Sequence, residues 1–264
     1  MMKVAILGAG PSGLLTAWAV ERSGHEPVIY GRRHKSVVSP SMFLMKEIPG
    51  LSLVEFNLDI EVRGTAEGYA KRVYRNGEMQ VSLSTLLPGQ HKVWGLREAY
   101  DRLWSIYQSS IVVKTIGYQD LSGIANSHEL TLCTLPAPDL CVQAHEFKSV
   151  DTFLVRAPAE DESFGRPRMI YNGMNGDAQT AVWNWYRYSS IRGVETWEYT
   201  HLVPGHQTTG VKPIGNNCDC WEQLNGGRFR RVGRFGKWQH GVMMHHAFED
   251  AVAAMASEGL GRTV

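Results

Sequence analysis

The sequence predicts an α/β fold in which a parallel, nucleotide-binding layer is interleaved with a smaller antiparallel sheet. Three observations carry this reading. A short apolar strand, a glycine-rich turn and a helix start follow one another over residues 4–17. A second glycine-rich segment, Gly233 to Trp238, precedes a helix near the other end. Between them, residues 147–204 hold several aromatic, strand-like stretches.

The first element is Val4-Ala5-Ile6-Leu7, continuous and apolar like a strand buried on both faces. Gly8-Ala9-Gly10-Pro11-Ser12-Gly13 follows. Gly8 lets the chain turn off the strand, Gly10 lets a pyrophosphate approach the backbone, and Gly13 lets the helix pack close to the strand. The helix N-terminus then offers free N–H groups and partial positive charge to phosphates. A helix over 12–23 ends at Gly24, and Glu26 to Tyr30 reads as a second strand. Residues 36–92 read as mixed, with turn signals at Pro40, Pro49-Gly50, Asn76-Gly77 and Pro88-Gly89. Within them 78–83 alternates like a strand, and Asn76-Gly77 suggests a hairpin. Residues 95–109 read as a helix with Leu96, Ala99, Tyr100, Leu103 and Trp104 on one face. Strands are expected at 111–114, 130–135, 153–155, 169–171, 181–188 and 197–199, and a last helix at about 241–257.

Gly-Ala-Gly-Pro-Ser-Gly-Leu resembles the FAD-binding fingerprint of the glutathione-reductase-like flavoprotein superfamily. That family places Glu or Asp at the end of the second strand, where it binds the adenosine ribose. Here Gly31 stands there, followed by Arg32 and Arg33. An arginine in place of the acid suits the 2′-phosphate of NADP, so the N-terminal motif alone leaves FAD and NADP open. Gly233-Arg234-Phe235-Gly236-Lys237-Trp238 resembles the second flavin motif of the UDP-galactopyranose mutase and amine oxidase branch. There it crosses the flavin, and the next helix aims its N-terminus at the ring's pyrimidine end.

The resemblance implies a Rossmann-like FAD-binding domain of residues 1–50, 95–146 and 205–264, and a substrate domain of 51–94 and 147–204. It implies cofactor contacts from Gly8, Gly10, Pro11, Ser12, Gly13, Gly31, Arg32, Arg33, Val113, Thr134, Gly233, Arg234, Phe235, Gly236 and Val242. It also implies a small-molecule substrate. Small phage-type members of this group, some acting on amino-acid-modified thymine in DNA, extend that to a modified nucleotide or nucleic acid.

Candidate catalytic residues are Arg187, Tyr186, His240 and His245. Trp183, Trp185 and Arg187 share one strand face, and Asn184, Tyr186 and Tyr188 the other. Tyr186-Arg187-Tyr188 resembles the branch's substrate-sheet strand, whose arginine lies near substrate or flavin. Such an arginine holds a carboxylate or phosphate bidentately. The plainer reading is aromatic packing with Arg187 as an ion-pair partner. His240, His245 and His246 bracket the last helix, where a histidine near its ordinary pKa can move a proton; a cap or core role is the alternative. Asp177, Glu195 and Glu198 are possible bases, and their spacing singles out none.

Composition excludes several classes. Net charge is +1, with 43% hydrophobic and 20% charged residues, so no sequence-wide field favours nucleic acid. The basic runs Arg32–Lys35 and Arg228–Arg231 read as solvated faces or phosphate contacts. No stretch approaches the ~20 apolar residues of a membrane span. The first strand begins at the N-terminus, which leaves no room for a signal peptide. Cys133, Cys141, Cys218 and Cys220 make no metal pattern, since Cys218-Asp219-Cys220 is C-x-C without a second half. Reduced thiols in a cytoplasm are expected. His245 and His246 are adjacent, so on a helix they are not expected to face one ligand.

A single G-x-G-x-x-G means that a flavin here would be reduced by substrate or by a transiently bound nicotinamide. The resulting expectation is an FAD-dependent oxidoreductase acting on an amine or amino-acid-like group. A redox-neutral flavin mutase, an NADP-binding reductase and a degenerate nucleotide-binding module are the alternatives.

Overall fold

The computed structural model describes residues 1–39, 41–74, 86–158, 166–174, 187–199, 209–221 and 224–259. Its strands are β1 (Lys3–Leu7), β2 (Glu26–Gly31), β3 (Phe43–Leu44), β4 (Glu55–Gly64), β5 (Gly89–Gly95), β6 (Val112–Val113), β7 (Leu130–Cys133), β8 (Phe147–Pro158), β9 (Arg168–Gly173), β10 (Arg187–Ile191), β11 (Val194–Tyr199), β12 (Thr209–Asn216) and β13 (Phe229–Arg231). Its helices are α1 (Pro11–Arg22), α2 (Ala66–Tyr74), α3 (Leu96–Tyr107), α4 (Tyr118–Asn126), α5 (Ala137–Leu140), α6 (Gly233–Lys237) and α7 (His246–Ser257).

One sheet is parallel throughout, in the order β13-β7-β1-β2-β6. Side chains alternate across its central strand, as the period of two requires. Val4 and Ile6 enter a core with Leu14 and Leu15 of α1, Tyr100 and Leu103 of α3, and Phe248 of α7. Ala5 and Leu7 enter a second core with Leu121 and Ile124 of α4, Trp221, Phe229 and Trp238. The continuous apolar run of β1 thus follows from burial on both faces. Truncating one of its large side chains to alanine costs about 2–5 kcal/mol.

The second sheet has eight strands, ordered β12-β8-β11-β10-β9-β4-β5-β3. It is antiparallel except at β4 and β9, which pair in parallel from Asp59↔Arg168 to Gly64↔Gly173. The fold is therefore α/β, a parallel sheet joined to a mixed one. The segments 43–44 and 209–216 lie in this second sheet. Leu58 and Ile60 of β4 pack with Val93, Met169 and Ile191, which explains a strand where the turn signals suggested irregular chain. Tyr69 of α2 meets Tyr171 edge-on, with ring centroids 5.0 Å apart. The hairpin expected at 76–83, most of the strand expected at 181–188, and Asp177 lie outside the described residues.

Two elements differ from expectation. The last helix begins at His246, because Gly241 takes a left-handed φ of 77° and residues 241–245 form turns. The run 228–231 includes a strand, and its arginines are held by the protein itself. Arg230 reaches Glu258 at 2.9 Å, and Arg231 reaches Asn216 Oδ1 at 3.1 Å and the Cys218 carbonyl at 2.8 Å. Among the described residues no helix is long and apolar enough to cross a membrane.

Candidate functional site: a dinucleotide groove and a buried ionic row

The glycine turn sits where β1 ends and α1 begins. Gly8 has φ +111° and donates its N–H to the Tyr30 carbonyl at 2.8 Å. A Cβ on Gly13 would stand 1.9 Å from the Gly8 carbonyl oxygen, so helix and turn meet backbone to backbone. The helix cap, Gly10, provides no side-chain hydrogen bond. A Cβ placed there would meet only Ser36 Oγ, at 4.0 Å. The space over the first helical turn is thus open, and the N–H groups of that turn face it. Tyr100, fully buried, accepts the Ser36 N–H at 3.0 Å and donates to the Ala9 carbonyl at 3.4 Å. It braces the turn from behind, a role that its place in the apolar stripe of α3 concealed.

A groove of about 540 Å³ runs from this turn across the ends of β2 and β7. Gly8, Gly10, Pro11, Ser12, Gly13, Gly31, Arg32, Thr134 and Phe235 line it, as do Lys114 and Met244. Thr134 also ties two strand ends together, its hydroxyl donating to the Leu7 carbonyl at 2.9 Å. Ser12 Oγ lies 2.9 Å from Met244 Sδ. The other expected contacts lie outside this lining. Arg33 turns away and donates to the Ile111 carbonyl at 3.1 Å. Val113 is exposed on β6, beside Gly31. Val242 is buried in the turn before α7. Gly233 bonds Asp250 Oδ2 through its N–H at 3.0 Å and packs on Ser12. Gly236 faces the Cys133 carbonyl so closely that a Cβ would stand 2.3 Å from it. These two glycines seat the C-terminal motif against the nucleotide layer.

Arg234 and Phe235 are consecutive on α6. Phe235 faces the groove, while the charge of Arg234 reaches the second sheet. There, register aligns Tyr171 of β9, Arg187 of β10 and Glu198 of β11 in one row. Arg187 pairs with the buried Glu198, and Lys212 Nζ approaches the same carboxylate at 3.6 Å. Burial pushes the Lys212 pKa down to about 8; Glu198 opposes this, and Arg187 and Arg234 add to it. Three cationic side chains therefore converge on one buried carboxylate. Arg187 and Glu198 were sequence candidates. Lys212 was missed, although a lysine at an inward position of β12 was a usable signal.

His240 lies beside this row. Its N–H donates to the Ile214 carbonyl at 3.1 Å. Burial, then Lys212 and Arg234, lowers its pKa to about 4. Burial, then His246, does the same to His245. Both are neutral at pH 7, so neither titrates near neutrality as its ordinary value implied. His245 and His246 nevertheless meet, with ring centroids 4.3 Å apart. With Glu249 they bring three ligand atoms within 4.8 Å, but Lys46 already ion-pairs Glu249 at 2.6 Å. Tyr188 lies away from the row. It donates to Glu195 at 2.7 Å and lines a separate pocket of about 270 Å³ with Arg168 and Trp197. Tyr186 lies outside the described residues.

No protein-family model matches the chain, and no curated protein matches it in sequence. Similarity lies in the fold. Reduced UDP-galactopyranose mutase matches with a TM-score of 0.55 at 10% identity, over 100% of this chain and 97% of that one. A mutant of MHPCO matches with a TM-score of 0.53 at 10% identity, over 98% and 82%. CtdE in complex with FAD and its substrate 4 matches with a TM-score of 0.52 at 11% identity, over 99% and 82%. What this chain shares with them is the architecture, a parallel nucleotide-type layer joined to a mixed sheet along almost its whole length.

Proposed function

We propose that this chain is an FAD-dependent oxidoreductase acting on an amine or amino-acid-like group that carries an acidic substituent. The observation that carries the proposal is continuity. The glycine-turn groove reaches Phe235, and the neighbouring Arg234 opens onto the row of Arg187, Glu198 and Lys212.

The groove fits a dinucleotide. Gly10 leaves room for a pyrophosphate that a side chain would fill, and the uncapped start of α1 supplies N–H donors. Gly31 supplies no carboxylate to the adenosine ribose, so Arg32, on the groove wall, is the side chain placed to meet the adenosine half. FAD, when bound, supplies a two-electron acceptor, and the protein supplies position and polarity. Phe235 and Met244 would flank the ring end. Arg187, Lys212 and Arg234 would hold the substrate's carboxylate or phosphate, and Glu198 would fix the two cations that it contacts. The convergence of cations favours an amino acid, or an amine on a nucleotide, over a simple cationic amine.

Purified protein should be yellow and release flavin on denaturation. Anaerobic bleaching by one member of a panel of amines, amino acids and nucleosides would identify the substrate class. Colourless protein that takes up no added FAD overturns the proposal. Bleaching by NADPH alone would move it to a reductase.

A redox-neutral mutase is the second reading. The same cations suit the phosphates of a nucleotide-linked substrate. Turnover that requires pre-reduced flavin and shows no net electron transfer would establish it.

A further inference from the structure

Four side chains from two distant segments meet where the chain passes between its sheets. Cys141 and His145 lie on the segment leaving α5 for β8, and Cys218 and Cys220 on the loop leaving β12. Cys141 Sγ lies 3.2 Å from His145 Nδ1, 3.6 Å from Cys218 Sγ and 3.8 Å from Cys220 Sγ. Cys218 and Cys220 Sγ are 3.2 Å apart. All four ligand atoms fall within 4.8 Å of one another. Cys218-x-Cys220 thus finds its second half in Cys141-x3-His145, far away in sequence.

We infer that Cys141, His145, Cys218 and Cys220 form a tetrahedral Cys3His site for a structural zinc ion. Zn–S and Zn–N bonds of about 2.3 and 2.0 Å set tetrahedral ligand atoms roughly 3.5–3.8 Å apart. The observed separations lie at and slightly inside that range. The enclosed space suits one ion rather than an iron–sulfur cluster. Three thiolates and an imidazole are a soft set that suits zinc. A disulfide would account for two of these groups and leave a thiol and a histidine without a role.

The surroundings support the same assignment. His145 points Nδ1 at the cluster and Nε2 towards Asp219, whose carboxylate is 3.7 Å away. A ligating histidine characteristically gives its second nitrogen such a partner. Three thiolates around Zn2+ leave a net charge of −1, and Arg231 stands beside the cluster. Its guanidinium binds the Cys218 carbonyl at 2.8 Å and lies over Trp221 at 5.2 Å. The Cys218 N–H donates to Asn216 Oδ1 at 3.0 Å, which shapes the turn before the ligands close. Binding displaces three thiol protons to solvent and leaves the metal's oxidation state unchanged.

The full-length chain, purified without chelator, tests this by elemental analysis. About one zinc per chain is expected. Exchange into Co2+ should give the visible bands of tetrahedral cobalt with a thiolate charge-transfer band. Cys218→Ser and Cys220→Ser should each lose most of the metal. His145→Cys, which keeps four ligands, should retain it with a shifted cobalt spectrum, and covers the case in which a serine variant fails to fold. Wild-type protein that binds neither Zn2+ nor Co2+, or whose Cys141 is found in a disulfide, overturns the assignment.

Discussion

The glycine-turn groove and the Arg187–Glu198–Lys212 row are built in opposite ways. The groove is made of backbone. Its donors are the N–H groups of one helical turn, and its shape comes from side chains that are absent at Gly8, Gly10 and Gly13. The row is made of side chains, brought together from separate strands by register. A backbone site is written in consecutive residues and has no charge to titrate. A side-chain site is written in pairing across a sheet, and its ionisation answers to everything packed around it.

The comparison can be broken most severely at Gly13. Gly13→Ala drives a methyl into the Gly8 carbonyl. It should cost on the order of 4 kcal/mol, read as a large fall in melting temperature together with loss of bound flavin. A variant that keeps wild-type stability and flavin content would show that the turn can yield. In the row, Glu198→Ala leaves Arg187 and Lys212 facing each other in a buried setting. It should cost about 3 kcal/mol by denaturant titration while leaving flavin affinity nearly unchanged. Equal losses in stability and flavin affinity would mean that the two regions are one unit.

The pH responses should separate the regions further. Lys212 has a folded pKa of about 8, below its ordinary 10.5. As pH rises from about 8 to 10.5 the unfolded chain holds the extra proton, so this group makes stability rise with pH. Over the same window the site loses a positive charge, and an anionic substrate should bind more weakly. Lys212→Met should flatten both responses. His240 and His245 act at the other end. Their folded pKa values near 4 lie below the ordinary 6.5. The unfolded state takes up these protons first, so their contribution is complete above pH 6.5 and lost as pH falls towards 4. An activity profile with a histidine limb near pH 6.5 that vanishes in His240→Asn would contradict this.

The smallest effect is expected at Gly31. A Cβ there comes within 3.0 Å of the Ala9 nitrogen and Cβ. Gly31→Ala should cost about 1 kcal/mol and weaken flavin binding slightly by pressing on the turn, as isothermal titration would show. That contact also weighs against a glutamate at this position restoring a ribose contact.

The groove was legible because its causes are local. The glycine turn, α1, β2 and α3 follow from short-range spacing, and the structure places them within a few residues of expectation. Phe56, Leu58, Ile60 and Val62 of β4 carry an equally plain alternation, hidden behind turn signals that drew attention first. Lys212 and Glu198 could not be paired from sequence, because no spacing rule joins β11 to β12 across an intervening strand. The four metal-type ligands were invisible for the same reason. Each half is too short to stand out, and only the pairing of β8 with β12 brings the halves together.

That pairing has a consequence for how the chain is assembled. Phe147 opens β8, Asn216 closes β12, and the two stand opposite each other in the ladder. The polypeptide therefore leaves the nucleotide layer and returns to it through one doorway. Everything between 147 and 216 is a single excursion clasped at its base, and an excursion whose ends already touch can be lengthened, trimmed or exchanged with little disturbance to the layer that it left. Such a cassette lets one nucleotide platform meet new substrates while its own glycine turn stays as it is.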